Sequence, residues 1–170
     1  MTLIDNSQLR LIDSEIRGCG DIGLLVEDST AQLSRAEISD CTVAGIVVDG
    51  HANALNCQGG RLANNVVGII LMSGSANLAN VEIEESDTGI LLSRKHLLNH
   101  QITGDSPIFL EASGVSVTAE VRAIQFLSPG SCRITEDCKL EDPAGGDLAF
   151  SSDLERENRE DRVIIRVKRE

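Results

Sequence analysis

The residues best suited to chemistry lie in one short stretch, Asp49-Gly50-His51. An aspartate and a histidine two positions apart can act as an acid/base pair or ligate a metal. Asp28 and Ser73 fall at related points of the chain and are expected to stack with Asp49 along one edge, as a sparse carboxylate row. Asn53 belongs to the same turn as His51. Asp28, Asp49, His51 and Asn53 are therefore the ligand-binding candidates. No third ligand and no second acid stands close by in the chain, so no catalytic residue, metal or cofactor is assigned. The competing reading, which the spacing favours, is a turn held by Asp and Gly beside a solvated histidine.

The remaining chemistry-bearing residues read as structure. His96 and His100 flank Leu97-Leu98 and fit hydrogen-bonded structural histidines. Cys57 falls in register with Leu33 and Leu78, which makes it a core residue. Cys132 and Cys138 are six apart, too far for a close zinc pair without further ligands. Arg35, Arg61, Arg94 and Lys95 are scattered over turns. The chain is accordingly read as non-catalytic, with enzyme activity left open.

Composition narrows the partners. Acids number 27 against 15 bases, a net charge of −12. That opposes binding to nucleic acid or an anionic membrane, both of which need a basic surface. The chain has no Trp, no Tyr and three Phe. Sugar platforms and base-stacking sites both use aromatic faces, so polysaccharide is possible but disfavoured. No apolar run reaches the ~18 residues of a membrane span. Met1–Asn6 lacks the basic and apolar regions of a signal peptide. Five cysteines, an odd number, suggest free thiols in a reducing, cytoplasmic compartment.

The elements that must position these residues form a repeat. Gly23-Leu24-Leu25-Val26, Gly45-Ile46-Val47-Val48, Gly68-Ile69-Ile70-Leu71 and Gly89-Ile90-Leu91-Leu92 follow one another at intervals of 21 to 23 residues. Such a period is a solenoid signature. Each unit is followed by an apolar pair exactly five apart: Leu33 and Ile38, Cys57 and Leu62, Leu78 and Ile83, Leu97 and Ile102. Apolar residues at +1 and +3 share one face of a strand, and the runs are short and β-branched. Ile4, Leu11 and Ile16 fit the same frame 22 residues earlier. The chain thus enters in mid-coil, without a glycine. The repeated glycine reads as a tight turn where a side chain would be strained or would strike the next coil. Cys19, Cys41, Asn65, Ser86 and Asp105 occupy equivalent turn sites and predict an inward ladder.

This pattern resembles the right-handed parallel β-helix superfamily, the pectate-lyase-like fold. The likeness is carried by the four Gly-apolar units, with Ile38-Ser39-Asp40-Cys41 and Ile83-Glu84-Glu85-Ser86 as second strands. It implies an all-β fold, a short right-handed parallel solenoid of about five or six coils of ~22 residues. The superfamily includes sugar lyases, hydrolases, epimerases, fibres and interaction domains, so function does not follow from fold. Its lyases need clustered acids for calcium with a nearby base, and no such motif is present to carry over.

Beyond Ile102 the period weakens, and one or two irregular terminal coils are expected. The predicted organisation is a β-helix over 1–140 and a tail over 141–170 of linker, short helix and terminal strand. Ser152 with Glu155 reads as a capping box opening a helix to about Arg162, a solvated charged face. Arg162–Arg169 reads as a strand that either caps the rod or pairs with a partner. The expected function is a structural or protein-interaction β-helix that self-associates through its ends, flat faces or tail. The alternatives are a carbohydrate-binding or carbohydrate-modifying protein, and a piece of a longer fibre or scaffold.

Overall fold

A computed structural model describes residues 1–51, 53–94, 106–128 and 130–141, and the backbone of Leu154–Arg159 and Arg162–Val167. Each coil is a triangle of short strands. β1 (Thr2–Leu3), β2 (Gln8–Ile12) and β3 (Glu15–Arg17) form the first. β4 (Ile22–Glu27) and β5 (Thr30–Ser39) form the second, β6 (Ala44–Asp49) and β7 (Leu55–Ala63) the third. β8 (Val67–Ser73), β9 (Ser75–Ala79) and the start of β10 (Glu82–Leu92) follow. The end of β10, β11 (Ile108–Ser113) and the start of β12 (Ser116–Phe126) make the fifth coil. The end of β12, β13 (Gly130–Thr135) and β14 (Lys139–Glu141) complete the sixth.

Stacked coils build three parallel sheets. The first runs β1, β4, β6, β8 and the ends of β10 and β12. The second runs β2, the start of β5, the start of β7, β9, β11 and β13. The third runs β3, the ends of β5 and β7, and the starts of β10 and β12, closing on β14. Leu33 and Ile38, read as one second half, thus stand on two different sheets.

The constant five-residue gap has a local cause. Between the second and third sheets the chain turns on one residue in the left-handed region, followed in the third coil alone, among the described residues, by a second positive-φ residue, Gly60 (φ 110°). These residues form a column: Asp13 (φ 48°), Arg35 (φ 52°), Gly59 (φ 66°), Asn80 (φ 53°) and Gly114 (φ 58°). One left-handed residue breaks the strand direction without lengthening the coil. A second such column, Gly18, Asp40, Asn64 and Glu85, turns the third sheet into the first. Asx and Gly tolerate this conformation, and Arg35 is locked by a bidentate bond to Asp13, at 2.6 and 2.7 Å.

Inward rows fill the triangle. Leu24, Ile46, Ile69 and Ile90 stack on the first sheet, Leu33, Cys57 and Leu78 on the second, Ile38, Leu62, Ile83 and Val117 on the third, all buried in one core. Each large side chain contributes about 1.5–3 kcal/mol on burial. Cys57 is paired with Leu33 and Leu78, as its position in the repeat predicts. The repeated glycines open the first sheet with ordinary φ; of the two reasons expected for them, the close approach of the next coil is the one observed. The ladder is also present: Cys41, Asn65 and Ser86 are buried at the corner and Cys19 is half-buried, while Asp105 lies outside the described residues.

Three expectations change. Leu3, not Ile4, pairs with Val26 and faces inward; Ile4 is 48% exposed. The cause is an extra left-handed residue in the first corner, where Asp5 and Asn6 stand for the single Asp28 of the next coil. Leu97 and Ile102 lie outside the described residues, and the places in register with Leu78 and Ile83 belong to Ala112 and Val117. The coils after residue 105 are regular in pairing despite their weak sequence period. Among these later coils the register shift is in β12, near Ala119, beside an exposed Val121.

The expected helix after Ser152 is not formed: Leu154–Arg159 is a strand, β15, antiparallel to β16 (Arg162–Val167). Its charged sequence has no apolar stripe for a helix to bury, and a neighbouring strand two residues on supplies its backbone partners. β16 is a strand as expected, and it pairs antiparallel with β13 of its own chain.

Candidate functional site

The corner between the first and second sheets carries the four candidate residues. β4 ends at Glu27 and β6 at Asp49, so strand register aligns Glu27, Asp49 and Ser73, not Asp28, Asp49 and Ser73. Asp28 turns the corner in the left-handed region (φ 44°) and donates its N–H to the carbonyl of Asp49 at 2.9 Å. Its carboxylate lies 3.6 Å from His51 Nε2, both at the surface. Asp49 is fully buried, and the Ser73 hydroxyl donates to its Oδ1 at 2.7 Å. Asn53 is also left-handed (φ 61°), with its N–H donating to Ser75 Oγ at 2.6 Å.

The structure thus brings Asp28 and His51 together and seals Asp49 away from them. The exposed pair can share a proton or a polar ligand, and contributes about 0–1 kcal/mol to stability at most. Asp49 acts through its hydrogen bonds within the corner. His96 and His100 lie outside the described residues.

Two features were not read from the sequence. The first is the outer face of the first sheet. Val47, Ile70, Met72 and Leu91 are 3, 0, 0 and 7% exposed although they point away from the core, and they form their own apolar cluster with Ile22, Leu25, Val43 and Val67. The signal was in plain view, because every repeat is apolar at +2 as well as at +1 and +3. A strand apolar on both faces is buried on both.

The second is a shallow groove along the corner between the third and first sheets, lined by Asp40, Thr42, Asn64, Val66, Asp87 and Glu120 among others. Here Arg17 Nε donates to Asp40 Oδ2 at 2.7 Å and Asn64 Nδ2 to Oδ1 at 2.6 Å. Arg17, and next Asn64, hold the Asp40 carboxyl below its ordinary value of 3.8. A depressed carboxyl stabilises the fold above its unfolded value and loses that contribution as pH falls through the folded one. We expect Arg17→Gln to raise the Asp40 titration, followed by carboxyl-carbon NMR, because Arg17 is the largest cause of its lowering. A midpoint unmoved by the substitution would show that Arg17 does not hold the charge.

Ion pairs on the third sheet follow the same coil-to-coil logic. Arg61 bonds Glu37 at 3.0 Å on one side and Glu84 on the other. Among the described residues, no group of three or more His, Cys, Asp or Glu side chains is arranged to hold a metal ion.

Comparison with known proteins bears on the fold. A family model described as a right-handed β-helix region matches residues 1–88. No curated protein and no solved structure matches the chain.

Proposed function

The chain belongs to the right-handed β-helix family, and from that premise we propose that it is a non-catalytic interaction module that binds a second copy through its N-terminal end. The observation that carries this reading is an edge that no described strand covers. Among the described residues, β1, β2 and β3 each pair with one strand only. The side chains that begin the core there, Leu9, Leu11, Ile16 and Cys19, are only half-buried. Met1, Ile4 and Ile12 beside them are 54, 48 and 42% exposed. Unpaired strand groups next to exposed apolar side chains favour addition of another strand.

The second copy is favoured by charge. In β3, Glu15 and Arg17 flank Ile16. Two such strands meeting antiparallel about Ile16 set each Glu15 against the other copy's Arg17, as an isologous interface requires. The apolar outer face of the first sheet, without an acid or base in its central row, supports the non-catalytic part. The net charge of −12 opposes a nucleic-acid or anionic-membrane partner, and the odd number of cysteines supports a reducing, cytoplasmic setting.

Size-exclusion chromatography with light scattering over a hundredfold range of concentration tests this directly. We expect a dimer of the 18.2 kDa chain. Glu15→Arg should weaken it by roughly tenfold, and the double exchange Glu15→Arg with Arg17→Glu should restore it. A monomer throughout, or a dimer indifferent to both variants, overturns the reading.

A carbohydrate-binding role has one observation in its favour. The outer face of the second sheet presents Gln32, Asn56 and Asn77 in register, exposed and uncharged. Asp28 and His51 stand at the corner beside it. Failure to retain any of a panel of neutral and acidic polysaccharides, with and without calcium, removes this second reading.

A further inference from the structure

Two of the five thiols lie at the N-terminal end of the core. Cys19 and Cys41 close successive coils at the same ladder position. The ladder around them is continuous: Gly18 N donates to Ser39 O at 3.0 Å and Thr42 N to Cys19 O at 3.1 Å. In-register neighbours of adjacent strands stand about 4.8 Å apart. That lies within the ~4.4–6.8 Å between Cα atoms that a disulfide spans. Both side chains enter the same core, Cys41 at 2% exposure and Cys19 half-buried at the open end. The two thiols also sense one another: after burial, the neighbouring Cys19 is the next cause raising the Cys41 thiol above its ordinary value.

Of the other three cysteines, Cys138 is half-buried like Cys19, and two differ. Cys57 is buried between Leu33 and Leu78 in the stack, and burial pushes its thiol up to about 12. Cys132 is fully buried and its thiol is pushed up as well. Both are shielded from oxidants in solution, whereas Cys19 is reachable.

We propose that Cys19 and Cys41 are an oxidation site, forming a disulfide that staples the open first coil to the second. The oxidant is a small disulfide. The Cys19 thiolate attacks one of its sulfurs; that S–S bond breaks and one small thiolate leaves, giving a mixed disulfide on Cys19. Cys41 then gives up its proton to solvent and its sulfur attacks the Cys19 sulfur. The mixed S–S bond breaks and the second small thiol departs. Two protein thiols are oxidised and one small disulfide is reduced to two thiols. The bond closes a ring through one whole coil, β4 and β5, and pins the chain just after β3 to the end of the second coil. Cys19 stands at the end proposed for dimer contact, so the reaction is run at a concentration where light scattering shows the monomer.

The test treats the whole folded chain with oxidised glutathione at pH 8, quenches with acid, and maps the products by mass spectrometry. We expect a linked pair of peptides containing Cys19 and Cys41, with Cys57 and Cys132 still reduced. The oxidised protein should melt roughly 5–10 °C higher than the reduced one. Cys41→Ser should keep glutathione on Cys19, and Cys19→Ser should give no link; dithiothreitol should reverse the wild-type product. Glutathione retained on Cys19 of the wild type with Cys41 reduced, or five unreacted thiols, overturns the proposal.

Discussion

Gly68→Ala should lower the stability of the rod by about 3 kcal/mol, the upper end of what overpacking costs. A Cβ at this position falls 2.6 Å from the carbonyl oxygen of Gly89 and 2.6 Å from Cγ2 of Ile83. The first obstacle is backbone of the next coil, so it can yield only by stretching the ladder on which that coil rests. The second is a fully packed side chain of the third sheet. Relief therefore requires two sheets to part. In a thermal melt followed by circular dichroism the midpoint should fall roughly 6–12 °C. Gly20→Ala is the control, because a Cβ there meets nothing within 4 Å. If both variants melt with the wild type, the glycine rows are not close-packed.

Asn65→Leu should cost about 2–5 kcal/mol, for a different reason. Asn65 is 2% exposed and serves two backbone groups in the preceding coil. Its Oδ1 accepts from Cys41 N at 3.0 Å, and its Nδ2 donates to Ile38 O at 3.1 Å. Leucine occupies similar space but leaves an N–H and a C=O buried without partners, each at about 1–3 kcal/mol. Urea unfolding gives the magnitude, and hydrogen exchange gives the place: the Cys41 amide should lose its protection. The neighbouring Asn64→Gly keeps the left-handed turn (φ 52°), removes only an exposed bond to Asp40 and should cost under about 1 kcal/mol. Equal effects from the two substitutions would mean that the buried amide is not the partner of those backbone groups.

The two effects concern residues of opposite legibility. Gly68 could be found by eye, because a glycine before three apolar residues recurs with a fixed period and steric exclusion allows no other residue type there. Asn65 was placed in the ladder by spacing, but its neighbours Cys41 and Ser86 share no chemistry with it, so its bonds were not readable. The corner columns are harder still. Asp13, Arg35 and Asn80 have one backbone conformation and three kinds of side chain. What is repeated there is a dihedral angle, and it shows in sequence only as an unvarying gap. The slip at Leu3 and Ile4 has the same origin, since an added left-handed residue shifts register without changing the apolar pattern nearby. At the candidate site, the sequence suggested Asp28, Asp49, His51 and Asn53 together. The structure pairs Asp28 with His51 and buries Asp49, because alternation along β6 and closure of the corner, not proximity in the chain, decide which carboxylate meets water. The tail was misread because a local Ser-x-x-Glu cap says nothing about an adjacent strand able to take its place.

The direction of the backbone hydrogen bonds has a mechanical consequence. In all three sheets they run from coil to coil, along the rod, while the strands lie across it. A pull applied along the axis therefore loads the bonds of the outermost coil first and opens them like the teeth of a zipper, one turn after another at low force. A load applied across the rod meets many bonds in shear at once. The molecule is built to bear sideways stress and to come apart lengthwise in steps of one coil, which in a stretching experiment would appear as a series of small, evenly spaced extensions.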